Sequence, residues 1–463
     1  MKTRILNYWD ALRSSFWFIP SLMALVTVGL SFATLAIDWT IRQKRIEEAG
    51  WLWAGGPDGA RELLSTIAGS MITVTGVVFS ITIVVLALAS SQFGPRLLRT
   101  FLRDRGTQTV LGTFISTFTY CFLVLRTVRS DDAGEFVPHI SVTIAIGLAL
   151  ASVGVLIYFI HHISVSIQAP IILARVADEL DRGIERLFPE CLGEAVQERK
   201  DDGERRQIPQ GFDREARTLP AGTSGYLRAI DGDRLMEIAI ENDLIVRLEY
   251  RPGHFVIQGS ELALIWPKEK VNDQLIDKMK GLFIVGPERT ETQDVEFAVH
   301  QIVEVALRAL SPGVNEPFTA ITCVDRLGAA LCRLAGREIP SPYRYDPANK
   351  LRVIADGVDF PGVADAAFNQ IRQSARSSAA VTIRLLETLV IVVRSVNREE
   401  DRTALLRQAV MIERGGREGL AEEQDRKDVE ERYRAFLKAL DEKAARPMHG
   451  SGGASVFHLH TDR

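Results

Sequence analysis

Nothing in this sequence restricts its fold more than four long stretches without a charged side chain, all of them before residue 165. No charge occurs between Arg13 and Asp38, between Glu62 and Arg96, or between Arg105 and Arg126, and from Phe136 the chain stays apolar to Ile160. A bilayer core about 30 Å thick takes about 20 helical residues to cross, so each stretch is long enough to span it. The spacing therefore predicts a four-helix transmembrane domain over residues 1–165. The first stretch starts too far into the chain and lacks a small-residue cleavage site, so it reads as a retained helix and not as a signal peptide. With 46% apolar and 25% charged residues, a mean hydropathy of +0.06 follows from this clustering.

Orientation follows from Lys and Arg in the short flanks. One side collects Lys2, Arg4, Arg13, Arg96, Arg99, Arg103, Arg105, Arg175, Arg182 and Arg186; the other collects Arg42, Lys44, Arg45, Arg61, Arg126 and Arg129. The excess predicts that both termini are cytoplasmic. Trp9, Trp17, Trp39, Trp51 and Trp53 suit the two interfacial belts.

The second span carries hydroxyls and glycines that a lipid-facing helix has no reason to hold: STIAGSMITVTGVVFSITIVVLALASS, from Ser65 to Ser91. At helical spacing Thr66, Gly69, Ser70, Thr73, Gly76, Ser80, Ala87 and Ser91 fall on one stripe, with aliphatic residues over much of the rest. Two readings stand side by side. Small residues let helices pack closely, and hydroxyls can bond back to their own helix. The same stripe can line a path for an ion or small solute, with Thr66, Ser70, Thr73 and Ser80 replacing part of its water shell. No Asp, Glu, Lys or Arg falls inside a span on this reading, which argues against a proton-driven pump and leaves a passive channel open. At the end of the fourth span, the adjacent His161 and His162 point about 100° apart, unsuited to sharing a metal, and read as interfacial anchors.

The soluble half is expected to be a cytoplasmic α+β domain. Residues 166–222 read as a connecting helix and polar linker, 223–290 as a small β module, 291–445 as a helical bundle, and 446–463 as a disordered tail. Within the β module RPGHFVIQGSELALI resembles half of a barrel-sandwich module of the biotinyl or lipoyl type. It lacks a lysine at a hairpin tip, so no cofactor is expected. Cys121, Cys191, Cys323 and Cys332 are scattered without ligand spacing, which predicts neither disulfides nor a metal site. A net charge of −4 gives no reason to expect nucleic acid.

In the helical part, DVEFAVHQIVEVALRAL places Val295, Ala298, Val299, Ile302, Val305, Ala306 and Ala309 on one face. Then the helix stops and restarts. Ser311, Pro312 and Gly313 enforce the stop; Asn315 is the expected cap of the next helix, with Glu316 and Pro317 in its first turn and Thr319 behind them. The segment reads as a corner between helices, with a ligand or partner site as the alternative.

Three features together, the four N-terminal spans, the SSQFGPR exit from the second span, and ALRALSPGVNEPFTA, resemble a bacterial family of predicted membrane proteins of unknown function. The resemblance covers nearly the whole chain, and SPGVNEPFTA is its most specific part; that family often has Asp where this chain has Glu316. It implies a bacterial inner-membrane location and a topology, and no activity. No Walker-type loop, GxSxG, HExxH or GxGxxG occurs in the sequence, so no enzyme is expected. Two functions remain: an oligomeric channel lined by the second span, and a non-conducting scaffold or sensor whose cytoplasmic domain binds a ligand or partner.

Overall fold

Helices form where the apolar runs predict them. The computed structural model describes residues 16–40, 53, 55–94, 104–131, 134–188 and 208–444. Trp9, Trp51, Cys191, most of the linker, the tail and most of the basic residues that set the orientation lie outside the described residues. The chain divides into two units, Met1–Ile172 and Leu173–Arg463.

The first unit holds α1 (Phe18–Thr40), α2 (Pro57–Phe93), α3 (Arg105–Leu125) and α4 (His139–Ser166), each long and apolar enough to cross a membrane. A short antiparallel hairpin, β1 (Arg129–Asp131) and β2 (Gly134–Phe136), joins α3 to α4. Trp17 and Trp39, at the two ends of α1, are 59% and 76% exposed. Their 22-residue separation corresponds to about 33 Å of helix, close to the thickness of a hydrocarbon core.

Helix α3 is the hub. Just over half of its apolar window, 56%, is buried, against 22% to 28% in the other three. It is also the least apolar of the four. The two facts share a cause: where lipid is the solvent, polar side chains turn inward to find partners. Thr107, Gln108, Ser116, Thr117 and Tyr120 of α3 are buried, as are Thr27, Ser31, Thr34 and Asp38 of α1. The Tyr120 hydroxyl lies 3.0 Å from Thr34 Oγ1, and Thr117 Oγ1 lies 3.1 Å from Ser152 Oγ of α4. Close approach of α1 and α3 occurs at Gly112, where an added Cβ would stand 2.5 Å from Met23 Sδ and 3.3 Å from Pro20 Cα. Leu64 and Ala68 of α2 pack with Tyr120 and Val124, and Met71 and Val78 with Val110 and Phe114.

Helix α5 (Ala169–Leu187) carries the chain into the second unit. There follow α6 (Phe212–Glu215), β3 (Arg217–Pro220), β4 (Gly225–Ile230), α7 (Gly232–Glu241), β5 (Ile245–Leu248), β6 (Phe255–Val256), β7 (Glu261–Trp266), α8 (Asp273–Lys280) and β8 (Phe283–Gly286). Next come α9 (Val295–Ala309), α10 (Pro317–Ala335), β9 (Tyr343–Tyr345), β10 (Leu351–Ile354), α11 (Phe360–Ser374), α12 (Ala379–Ser395), α13 (Glu399–Gly419) and α14 (Glu423–Ala444). One sheet has the order β3-β7-β5-β10-β9 and the other β6-β4-β8.

The larger sheet is wider than the segment 223–290. Strand β3 precedes that segment, and β9 and β10 come from between α10 and α11, with β10 parallel to β5. The short barrel-sandwich likeness does not extend to pairing, since β6 pairs with β4 while β7 lies between β3 and β5. Ile238, Leu244, Val246, Ile265 and Met279 centre one core. Among the helices Phe360, Phe368, Leu385, Leu389 and Phe436 are fully buried. Side-chain caps set several starts: Asp231 accepts from Arg234 N, Asn272 from Leu275 N, Asp294 from Phe297 N and Asp359 from Gly362 N.

Candidate functional site

The stripe on the second span is now placed on α2. Its packed residues Ala60, Leu64, Ala68, Met71, Val78, Thr82, Val85 and Ala89 form one face. At about 100° per residue, that face lies roughly 150° around the helix from Thr66, Ser70, Thr73 and Ser80. All four stripe residues are exposed, as are Gly69, Gly76, Ala87 and Ser91. A Cβ added at Gly69 or Gly76 would meet nothing within 4 Å. Among the described residues, then, Gly69 and Gly76 of the stripe do not mediate helix packing, whereas Gly112 of α3 does.

Several hydroxyls on α2 are satisfied locally. Thr73 Oγ1 donates to Gly69 O at 2.9 Å, Ser80 Oγ to Gly76 O at 2.8 Å and Ser91 Oγ to Leu88 O at 2.9 Å. Such back-bonding makes a hydroxyl cheap in lipid and still leaves its oxygen lone pairs to accept or coordinate. Helix α2 has 37 residues, about 55 Å at 1.5 Å per residue, and so exceeds the ~30 Å core by far. Beside the stripe, Trp17, Ile72, Gly76, Phe79 and Leu111 line an apolar groove of about 340 Å³ between α1, α2 and α3.

One charged residue lies where none was expected. Helix α1 continues through Asp38, which is 6% exposed. Its carboxylate accepts from Ile140 N at 2.9 Å, Ser141 N at 3.0 Å and Ser141 Oγ at 2.6 Å. These are donors of the first turn of α4, whose preceding residue, Pro138, offers no side-chain cap. Asp38 thus corrects the reading that the spans are free of charge, and it does so as a tertiary helix cap. The clue in the sequence was its place: a carboxylate in the last turn of a helix opposes that helix's own dipole and calls for a partner elsewhere. The same end of the unit is held by His139 Nδ1, 2.6 Å from Trp53 O, and by Arg61 Nη2 donating to Val128 O at 3.2 Å.

At the other end, Asp104 caps α3 through Thr107 N at 3.0 Å and lies 2.6 Å from His162 Nε2. His162 stacks on Tyr158 with ring centroids 5.3 Å apart, while His161 is exposed.

The corner after α9 is closed by backbone bonds. Ser311 N and Oγ donate to Arg308 O, Asn315 N donates to Ser311 O at 2.9 Å, and Glu316 N reaches back to Ala309 O at 2.8 Å. Asn315 is not the cap of α10. It takes a left-handed φ of +49°, which Asn tolerates better than most residues, and Glu316 occupies the cap position without a side-chain bond. Pro312, Gly313, Asn315 and Glu316 are exposed, Pro317 opens α10, and Thr319 is buried behind them. Flanking the turn, Val314 and Phe318 are 56% and 79% exposed. Among the described residues no group of three His, Cys, Asp or Glu is placed to hold a metal.

No solved structure matches this chain. It is 33% identical over 423 residues to an uncharacterized protein of Mycobacterium bovis and to one of Mycobacterium tuberculosis, spanning 90% of this chain and 79% of each relative. Residues 13–390, which include all four apolar helices and both sheets, match the family described as Predicted membrane protein (DUF2254), and to that family this chain belongs.

Proposed function

We propose that this protein is a non-catalytic, oligomeric channel of the bacterial inner membrane, with both termini in the cytoplasm and α2 lining a path for an ion or small solute. One observation carries the reading: Thr66, Ser70, Thr73 and Ser80 are exposed on the side of α2 opposite the face it packs within the first unit. Lipid gives no reason to gather hydroxyls and bare glycine backbone on that side. A ring of such faces around a common axis does, because hydroxyl oxygens can replace water around a passing solute. A four-helix chain alone has no room for the path, so the channel requires several copies.

The test is current across a planar bilayer containing the purified full-length protein. Conductance above empty membranes is expected, with a clear fall in Ser80→Leu and Thr73→Leu. Absence of current in the wild type, or flux unaltered by both substitutions, would sink the proposal. A second reading, a membrane scaffold that binds a partner at the Ser311–Pro317 corner, draws support from the exposed Val314 and Phe318. Under it, Phe318→Ser in the full chain abolishes partner capture and leaves membrane insertion intact.

A further inference from the structure

The second unit contains a cavity of about 150 Å³ where the turn after β5, strand β9, the loop after β10 and the start of α9 converge. Two arginines line it, and they differ in how their charge is met. Arg251 is committed: Nη2 donates to both oxygens of Glu296 at 2.9 Å, and Nε lies 3.2 Å from His254 Nε2. Gln293 is committed as well, its amide exchanging bonds with the backbone of Ile230 at 2.9 and 3.1 Å. Arg344 donates to the neutral carbonyl of Ser341, and among the described residues no carboxylate pairs with it. It is only partly exposed, and burial pulls its pKa below the ordinary arginine value with no neighbouring charge to offset the cost.

A cation withdrawn from water without a counter-charge is costly, and an anion in the adjoining space removes that cost. The space is present, at about 150 Å³, and it is large enough for a small anion. Val295, on the wall, opens the 15-residue helix α9, whose first-turn amide Phe297 N is already met by the Asp294 carboxylate. Asp294 pairs with Arg289 and Glu296 with Arg251, which leaves Asp356, exposed at the rim, as the lining carboxylate that opposes an anion.

We infer that this cavity is a binding site for a small oxyanion, a carboxylate or phosphate group, held by the Arg344 guanidinium. Planar donors on arginine match two oxygens of either group at once. The site joins the β-sheet part of the unit to its helices, so an anion there ties β9 to the start of α9. The inference stands whether or not the protein conducts.

Isothermal titration of the full-length protein in detergent, at constant ionic strength, with inorganic phosphate and separately with acetate, tests it. A third arm titrates a short-chain phosphatidic acid, which distinguishes a lipid headgroup from a free anion. Saturable binding of at least one probe is expected, weakened about tenfold or more in Arg344→Gln, as loss of a charge-assisted hydrogen bond requires. Arg344→Lys should keep part of the affinity. Asp356→Asn should tighten binding by removing the rim charge, and it supplies a decisive variant should Arg344→Gln fail to fold. No saturable binding of any probe, equal affinity in wild type and Arg344→Gln, or no tightening in Asp356→Asn would each overturn the assignment.

Discussion

Asp38 shows how much one side chain can do in a membrane. It supplies acceptors to two amides and a hydroxyl at the start of α4 and is itself only 6% exposed. Asp38→Ala leaves those donors unmet, at about 1–3 kcal/mol for each buried group, and should lower the thermal stability of the full-length protein by several degrees. Asp38→Asn retains one acceptor and should fall between wild type and alanine. Equal melting of Asp38→Ala and wild type in detergent would exclude the capping role. In the second unit, Asp243 takes a φ of +49° and pairs with Lys270 at 2.7 Å and Arg352 at 2.8 Å. Hydrogen bonds from Lys270 and Arg352 hold its carboxyl below the ordinary aspartate value, at about 2. A depressed carboxyl stabilises the fold above its unfolded pKa, and that contribution is lost as pH falls through the folded value. Stability should therefore drop as pH falls from the ordinary carboxylate range to about 2. The drop should be shallower in Asp243→Asn, read by acid titration of the circular dichroism signal. Asp38 left a clue in its place at the end of α1, but its partners, like the Arg352 partner of Asp243, lie about a hundred residues away and were not legible beforehand.

Among elements, the presence of α1 to α4 and the buried face of α9 were legible, since apolar spacing reports which side leaves water. Val295, Ala298, Val299, Ile302, Val305, Ala306 and Ala309 are all buried. Which glycines bring helices together was not legible. Gly69 and Gly76 look like packing residues and touch nothing, whereas Gly328 of α10 would place an added Cβ 2.2 Å from Thr388 Cγ2 of α12. Gly328→Ala should cost about 1–3 kcal/mol through that overlap. Thr388→Ser removes the offending methyl, so the double variant should recover most of the loss. A double-mutant cycle on melting temperature checks it, and strictly additive effects would place the cost elsewhere. The polar stripe itself could be read from spacing, but its facing could not, since a helix of that pattern can pack inward or outward.

At the scale of the molecule, the proposed topology has four apolar helices that bring both ends of the first unit to one side of the membrane, with the basic flanks choosing the side. Reporter fusions supply the check. A fusion following residue 444 should be active in the cytoplasm, and an insertion in the α3–α4 hairpin should be reachable from outside the cell. The opposite pattern would invert the proposed orientation and move the Arg344 cavity out of reach of cytoplasmic anions.

Sequence alone determined that lipid surrounds the first third of this chain, because about 20 uncharged residues in a row have few other stable homes. It also marked the stop after α9 at Pro312 and Gly313 and the start of α10 at Pro317, since prolines and glycines act where they stand. Tertiary structure decided everything that depends on which distant groups meet. It turned the Thr66 to Ser80 face outward, gave Asp38 the amides of α4, drew β9 and β10 into a sheet begun more than 120 residues earlier at β3, and left Arg344 at a cavity with no carboxylate paired to it among the described residues. The physical reason is range: burial periodicity and capping are local and written in adjacent residues, whereas pairing across the fold depends on how whole faces pack.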